Sequence, residues 1–420
     1  MDHFITQLTI NEVRHIKNLK IDININEKKH LILTGKNGSG KTSVLEALMR
    51  FLKGIEDNQI NQYGEYENNI SNLKKMLNND DNPMDEYDTL KDIRRLEEKF
   101  NYHIKDLTAE INNIEHIYLD YTEGNFILAY FDAKRISNIE MPNDIKKIEL
   151  PKFTDIDKNM SNIFLNYLVY LKTQQSFARN ENDSETVDSI QKWFDNFQDA
   201  LCNLFQDDSI TLKFDYKNLT FKIYQRNRKE YGFESLSDGY SAVIDIVINL
   251  ILRMEKTKSG IYDIGGIVII DEVETHLHIE LQKRIMPFLT SFFPNVQFII
   301  STHSPFVLNS LENAVIYDLE KNVRIENLSG YAYDGIVESY FDIDKYSDSI
   351  KDKLLKYEKL LNNENKDDNE IILEEKIRND LKAIPKELAP ELVYKFNNLE
   401  LLRKTNGVNK KRKDNNRGAV

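Results

Sequence analysis

The chain has 420 residues, 40% hydrophobic and 30% charged, which suits one large or two ordinary globular domains with a real core. Its formal net charge of −13 argues against a wholesale nucleic-acid coat, though not against a local basic patch. One cysteine, Cys202, leaves no internal disulfide; no apolar run reaches membrane-spanning length, and the N-terminus has no signal-peptide pattern, so a soluble, cytoplasmic protein without membrane contact is expected.

In chain order, Phe4–Ile10, Leu19–Ile25 and Leu31–Leu33 alternate or run apolar and predict three strands. The last runs through Thr34 into Gly35-Lys-Asn-Gly-Ser-Gly-Lys-Thr42, a complete Walker A loop. That spacing turns several backbone N–H groups into one concavity that holds nucleotide phosphates. Gly38 and Gly40 let the main chain approach closely, Lys41 is expected to reach the β- and γ-phosphates, and the Thr42 hydroxyl to face Mg²⁺. The candidate nucleotide-binding set is Gly35, Asn37, Gly38, Ser39, Gly40, Lys41, Thr42 and Ser43. Val44, Leu45, Leu48 and Leu52 follow at helical spacing, completing the strand–loop–helix context.

Tyr63, Tyr66, Ile70, Leu73 and Leu77, then Leu90, Ile93, Leu96, Phe100, Ile104, Leu107, Ile111 and Ile114, step by three and four around the breaker 78–83. They predict an inserted helical hairpin over 55–117. Phe126–Phe131 reads as a strand, followed by Asp132-Ala-Lys-Arg135. Helices are expected over about 156–179 and 184–205, and a β-hairpin from Ile210–Tyr216 and Leu219–Gln225.

Glu234-Ser-Leu-Ser-Asp-Gly-Tyr240 precedes an apolar helix, Ala242–Met254; a serine and a glycine there suit an anion site at the helix N-terminus. The strand Gly266–Ile270 ends in Asp271-Glu272, a Walker B pair in which Asp271 holds Mg²⁺ and Glu272 orients and deprotonates the attacking water. The strand Val296–Ile300 ends in Ser301-Thr-His-Ser-Pro305, placing His303 to sense the γ-phosphate. His276 and His278 have no obvious third and fourth metal ligands and read as loop packing near a dimer interface. Beyond about 330 the spacing is helical, with Leu354, Tyr357, Leu373, Ile377, Leu381, Leu392, Phe396 and Leu399 on the apolar stripes, before a basic tail at 403–420 expected to be disordered or to touch nucleic acid or an acidic partner. Asp342-Ile-Asp344 alone does not make a built-in nuclease.

Walker A, LSDGY, IIDEVETHLH and ISTHSPFVL in that order resemble the ABC ATPases of the SMC, RecF and OLD type. The resemblance covers roughly 1–52, 126–136 and 230–320, and Asp-Glu-x-Glu-x-His-Leu-His is especially like the RecF and OLD branch. It implies an α/β fold, an ABC-type P-loop ATPase head with a helical insertion and a helical C-terminal extension. The head would take 1–54 and 118–340, with a helical lobe at about 154–207; the extension would take 341–402. It also implies that Ser237 and Gly239 act in trans, completing the ATP site of a second copy, so that ATP binding makes a homodimer; a higher oligomer stays open. Tyr130-Phe-Asp-Ala-Lys-Arg135, Ser329-Gly-Tyr331 and the helical tail are similar to the ATPase subunits of bacterial anti-phage systems, the PtuA-like proteins of Septu and retron type. Those work with a separately encoded effector, often an HNH nuclease. The alternative is a RecF- or SMC-like ATPase acting directly on DNA. Two departures stand out: Asp238 and Tyr240 replace the usual glycine and glutamine of the signature, and no Q-loop glutamine follows Phe131.

Overall fold

A computed structural model describes residues 2–60, 90–91, 94, 102–135, 139–255, 263–326, 328–329, 348–363, 366–384 and 392–404. Most of the expected hairpin, Gly330–Tyr331, Asp342–Asp344 and the tail beyond 404 lie outside them. The chain divides into two compact units, Met1–Tyr331 and Ala332–Val420.

The first unit is built on a six-stranded sheet. In chain order its strands are β3 (His30–Thr34), β5 (Phe126–Phe131), β8 (Gly265–Ile270), β9 (Val296–Ser301), β10 (Ala314–Asp318) and β11 (Val323–Glu326). In space they run β11-β10-β3-β9-β8-β5, all parallel except the β10–β11 pair. β3, β9 and β10 are buried at every position, as continuous Val/Ile/Leu runs demand inside a parallel sheet. At the edge, β11 is mostly exposed.

A smaller antiparallel sheet, order β2-β1-β4, covers the N-terminal part with β1 (Ile5–Val13), β2 (Ile16–Asp22) and β4 (Leu107–Ile111). β4 corrects the expected insertion, which cannot run as helix to 117. Residues 107–111 pair with β1, Leu8 opposite Ala109, with Leu107, Ala109 and Ile111 buried. The physical reason is that a spacing of four, Leu107 to Ile111, satisfies both a helical and a two-residue period. A helix does begin at Ile114, but it is the separate α2 (Ile114–Glu123), and the helix after the Walker loop, α1 (Lys41–Glu56), runs past the expected boundary at 54. α1 buries Val44, Leu45, Leu48, Phe51, Leu52 and Ile55 in the core shared with both sheets.

His30, at the foot of the Walker A strand, is 5% exposed, and its Nδ1 accepts the Phe298 N–H at 3.0 Å. Burial pushes its imidazole from 6.5 down to about 4. The neutral form is therefore the folded form, and its contribution to stability is complete above pH 6.5 and lost as pH falls from 6.5 toward 4. The size is up to about 3 kcal/mol. Urea melts at pH 7 and pH 5 should show the chain less stable at pH 5, and His30→Asn should flatten that difference.

The helical lobe starts later than expected. α3 spans Phe164–Asn180 and α4 Ser184–Phe205, the latter capped by Asp183, whose side chain accepts the Thr186 N–H. Residues 154–160 run without regular helix because they are strapped to α5 (Asp238–Met254). Arg253 donates to the carbonyls of Leu128, Thr154, Asp155, Ile156 and Lys158, and Asn249 Oδ1 accepts the Met160 N–H at 2.6 Å. These bonds satisfy a buried irregular backbone that has no helix ladder of its own. Burial pushes the Arg253 guanidinium down to about 10, still protonated at neutral pH. Arg253→Met should cost about 3 kcal/mol in chemical denaturation, because it removes a buried guanidinium that bonds five carbonyls at once. An aromatic cluster of Phe164, Trp193, Phe197 and Phe233 fills the lobe, and Trp193 Nε1 donates to Glu255 at 2.7 Å. The hairpin β6 (Thr211–Asp215) and β7 (Thr220–Tyr224) forms as the alternation predicts.

The second unit holds α7 (Asp348–Asn362), α8 (Asp368–Lys382) and a helix at 392–404, α9; between α5 and α7 the first unit adds α6 (Ile285–Phe292). Leu354, Tyr357, Ile377, Leu381, Leu392, Phe396 and Leu399 form its core, the stripe read from spacing. Arg378 and Tyr357 both bond Glu400, whose carboxyl they hold down at about 2.

Candidate active site

The strand order puts the C-terminal ends of β3, β9 and β8 side by side, with β9 between the Walker A and Walker B strands. The loop after each end carries one part of the expected chemistry, in the crevice where open parallel sheets bind ligands.

After β3, the loop 35–40 turns through three left-handed glycines, Gly35 (φ 130°), Gly38 (φ 84°) and Gly40 (φ 98°). A side chain at Gly40 would also meet Ile16 Cδ1 at 2.8 Å. Lys41 is buried and folds over the loop, its Nζ donating to Gly35 O at 2.9 Å and Lys36 O at 3.2 Å. Burial lowers its pKa, while Glu272, Asp271, Glu274 and Asp318 favour its charge. Ser39 Oγ is buried and without a hydrogen-bond partner, Ser43 is buried, and Asn37 and Thr42 are exposed. A cavity of about 500 Å³ opens beside the loop, lined by His15, Ile16, Leu19, Asn37, Gly38 and Asn322 among others. An orphaned hydroxyl in a glycine cradle beside a cavity is the donor set a phosphate ester requires, so the residues fit a nucleotide.

After β8, Asp271 is 1% exposed, and its Oδ1 accepts the Ser301 hydroxyl. Ser301 Oγ in turn accepts the Glu272 N–H at 2.7 Å, so one serine on β9 orients both acids. Glu272 sits at φ 43°, a conformation that costs a non-glycine residue about 1–3 kcal/mol and concentrates at functional sites. The Thr275 hydroxyl donates to Glu272 Oε2 at 3.2 Å.

After β9, His303 is half-buried, and burial together with the Lys41 charge pushes its imidazole below the ordinary value. Its backbone N–H donates to Glu274 Oε1 at 2.5 Å. Lys41, Asp271, Glu272 and His303 are thus brought to one place, each within electrostatic reach of another.

Three contributors were not legible beforehand. Arg135, 9% exposed, donates to the carbonyls of Asp271 (2.8 Å), Glu272 (2.9 Å) and Val273 (3.4 Å), bracing the acid loop from the end of β5. It stands in the segment that lacks a Q-loop glutamine. Its only advance signal was a basic residue four positions past a buried strand. Ser301 and Glu274 lie inside ISTHSPFVL and IIDEVETHLH, but their partners stand at the ends of other strands.

The signature residues lie elsewhere. Ser237 is exposed and stands at the N-cap of α5 with extended backbone and no side-chain cap bond. Gly239 is buried against the loop after the acids, not against the glycine loop: a Cβ there would meet His276 O at 2.8 Å. That backbone contact, with His276 itself at φ 66°, accounts for the glycine. Tyr240 stacks on Phe205 at 4.2 Å, tying the first turn of α5 to the lobe. No cluster of three or more His, Cys, Asp or Glu able to hold a metal occurs among the described residues, and none of their helices is long and apolar enough to cross a membrane.

A family model described as "AAA domain, putative AbiEii toxin, Type IV TA system" matches residues 31–309. A Septu protein PtuA from Bacillus mycoides (strain KBAB4) is 26% identical over 351 residues, covering 80% of this chain and 44% of that protein. A Septu protein PtuA from Bacillus thuringiensis is 26% identical over 388 residues, covering 86% and 90%. A protein named "Retron Vc95 probable ATPase", from Vibrio cholerae serotype O1 biovar El Tor, is 22% identical over 373 residues, covering 71% and 70%. The chain thus spans less than half the length of the first of these relatives and most of the second.

Proposed function

The chain belongs to that AAA-domain family, and from this premise we propose that it is the ATP-binding and hydrolysing subunit of a bacterial anti-phage system, gating a separately encoded effector of HNH-nuclease type. The observation that carries the ATPase reading is the meeting of Lys41, Asp271, Glu272 and His303 at three adjacent strand ends. The defence reading rests on relatives named Septu protein PtuA and retron ATPase.

In this reading the backbone of 35–40, Ser39 and Ser43 cradle the phosphates, and the cavity beside the loop takes the nucleoside. Lys41 leaves the Gly35 and Lys36 carbonyls for the β- and γ-oxygens. The Thr42 hydroxyl and Asp271 would hold Mg²⁺, which supplies charge neutralisation along the phosphate chain when bound. Glu272 accepts a proton from water as its oxygen bonds the γ-phosphorus; the bond to the β-bridging oxygen breaks and ADP leaves. His303, kept neutral by burial, can donate one hydrogen bond to the γ-phosphate. Ser237 and Gly239 serve the site of a second copy, so ATP holds a homodimer together. Domain boundaries follow: an ATPase head through about 340 and the helical unit after it as the effector-docking part.

The test is co-purification with the neighbouring gene product, with MgATP hydrolysis measured for the chain alone and in the complex. The chain alone should hydrolyse ATP, Lys41→Ala should not, and neither should cut DNA. Deleting 345–420 should abolish assembly while leaving ATP binding in place. Robust DNA cleavage by the isolated chain would overturn the two-component reading.

A further inference from the structure

We infer that Glu274 is a positioning residue that sets His303 for contact with the γ-phosphate, an assignment that rests on the ATPase reading above. His303 occupies the turn between β9 and the short helix Pro305–Leu308. Both neighbours in that turn are anchored to the body of the unit: Thr302 N–H donates to Leu33 O at 3.0 Å, and the Ser304 hydroxyl to Gln282 Oε1 at 2.7 Å. Among the described residues the His303 amide is anchored by Glu274 Oε1 alone. Glu274 itself is braced because its loop hangs from Arg135 through the carbonyls of Asp271, Glu272 and Val273. The position of the imidazole is therefore set by one carboxylate that the post-Walker B turn presents across from β8 to β9.

A plain loop pin would be complete with one acceptor. Glu274 has a second, Oε2, that is buried and makes no hydrogen bond. Leaving a buried carboxylate oxygen unpaired costs stability, so such a group in a folded protein calls for a reason, and a working site is one. The charge of this carboxylate lies near Lys41, Arg135 and His303, and it favours the protonated form of each. One oxygen thus holds the backbone of the γ-phosphate sensor, and the other stays within the polar centre that the triphosphate enters. Removing the side chain would leave the His303 amide without its anchor, and the imidazole would lose its fixed approach to the phosphate.

Calorimetric titration of the full chain with Mg²⁺ and either AMP-PNP or ADP reads this directly, without turnover. Glu274→Met keeps the length and removes both acceptors. It should lower the preference for AMP-PNP over ADP roughly tenfold, the worth of a lost hydrogen bond near charge. His303→Ala should lower it comparably, and the double variant no further, because both remove one contact. Glu274→Gln should retain the preference, since its amide oxygen still accepts from the His303 N–H. An unchanged preference in Glu274→Met, or effects that add in the double variant, would overturn the assignment. If Glu274→Met does not fold, Glu274→Gln decides: a loss as large as that of His303→Ala sinks it. Wild-type chain that binds neither nucleotide, or Lys41→Ala that binds both normally, would instead remove the ATPase reading beneath it.

Discussion

Glu272→Gln should bind MgATP normally and hydrolyse it 10²- to 10⁴-fold more slowly, the usual loss when a positioned base is removed. The amide keeps the shape of the carboxylate and can still accept the Thr275 hydroxyl bond, so the strained φ of 43° and the link from its N–H to Ser301 need not change. What it cannot do is take the proton of the attacking water. The variant should accumulate as an ATP-held dimer, seen as a larger species in gel filtration with ATP and not with ADP. Turnover near wild type would pass the role of base to another group, and Glu274, two residues on, would be the first to try.

Mixing two dead chains should restore activity. Lys41→Ala spoils the glycine loop of its own chain and leaves the signature sound; Ser237→Arg does the reverse. If the site is shared, a mixed dimer has one intact site, and equal mixing should recover about a quarter of wild-type turnover. The structure supplies the motive. Ser237 is exposed, its backbone is extended at the start of a 17-residue helix, and no side-chain cap consumes its hydroxyl. Its neighbour Gly239 packs on His276 of the same chain rather than on the glycine loop. A mixture as inactive as either parent would mean that each chain closes its own site.

The two uncommon signature residues behave differently. Tyr240, in place of glutamine, has a structural account in its stacking on Phe205. Asp238 is exposed in the first turn of α5, where a negative charge suits the helix dipole but would oppose a second copy's phosphates in a shared site. Asp238→Gly is therefore expected to raise turnover of the homodimer a few-fold in a steady-state ATPase assay, by removing that repulsion.

How much could be read in advance depended on how far apart the cooperating residues lie. The turn of the Walker loop was legible because its glycines lie within eight residues and set the backbone locally; spacing alone carries the geometry. The positions of the acids and His303 were legible because each follows a run of buried aliphatics, and the residues just past the C-terminal ends of parallel strands line the ligand crevice. The core of the second unit was legible too, since Tyr357, Ile377 and Phe396 lie on stripes that only a helix puts on one side. β4 was not, because Leu107 and Ile111 fit two periods at once, and only the free edge of β1 decided between them. Nor was the irregular start of the helical lobe, where Arg253, about a hundred residues away, offers the carbonyls of 154–158 a better arrangement than a helix would.

The sequence by itself determined the glycine turn after β3, the strands that end at the two acids and before the histidine, and the helical character of the C-terminal part, since each depends on local spacing and on which residues can be buried. Only the tertiary structure decided the rest. The order β3-β9-β8-β5 brings residues 41, 135, 274 and 303 into one small volume, lets Ser301 orient both acids, hangs the acid loop from Arg135 and leaves one carboxylate holding the His303 amide. Hydrogen bonds between strand ends join residues from 29 to 138 positions apart, and no local pattern along the chain encodes which strand lies beside which.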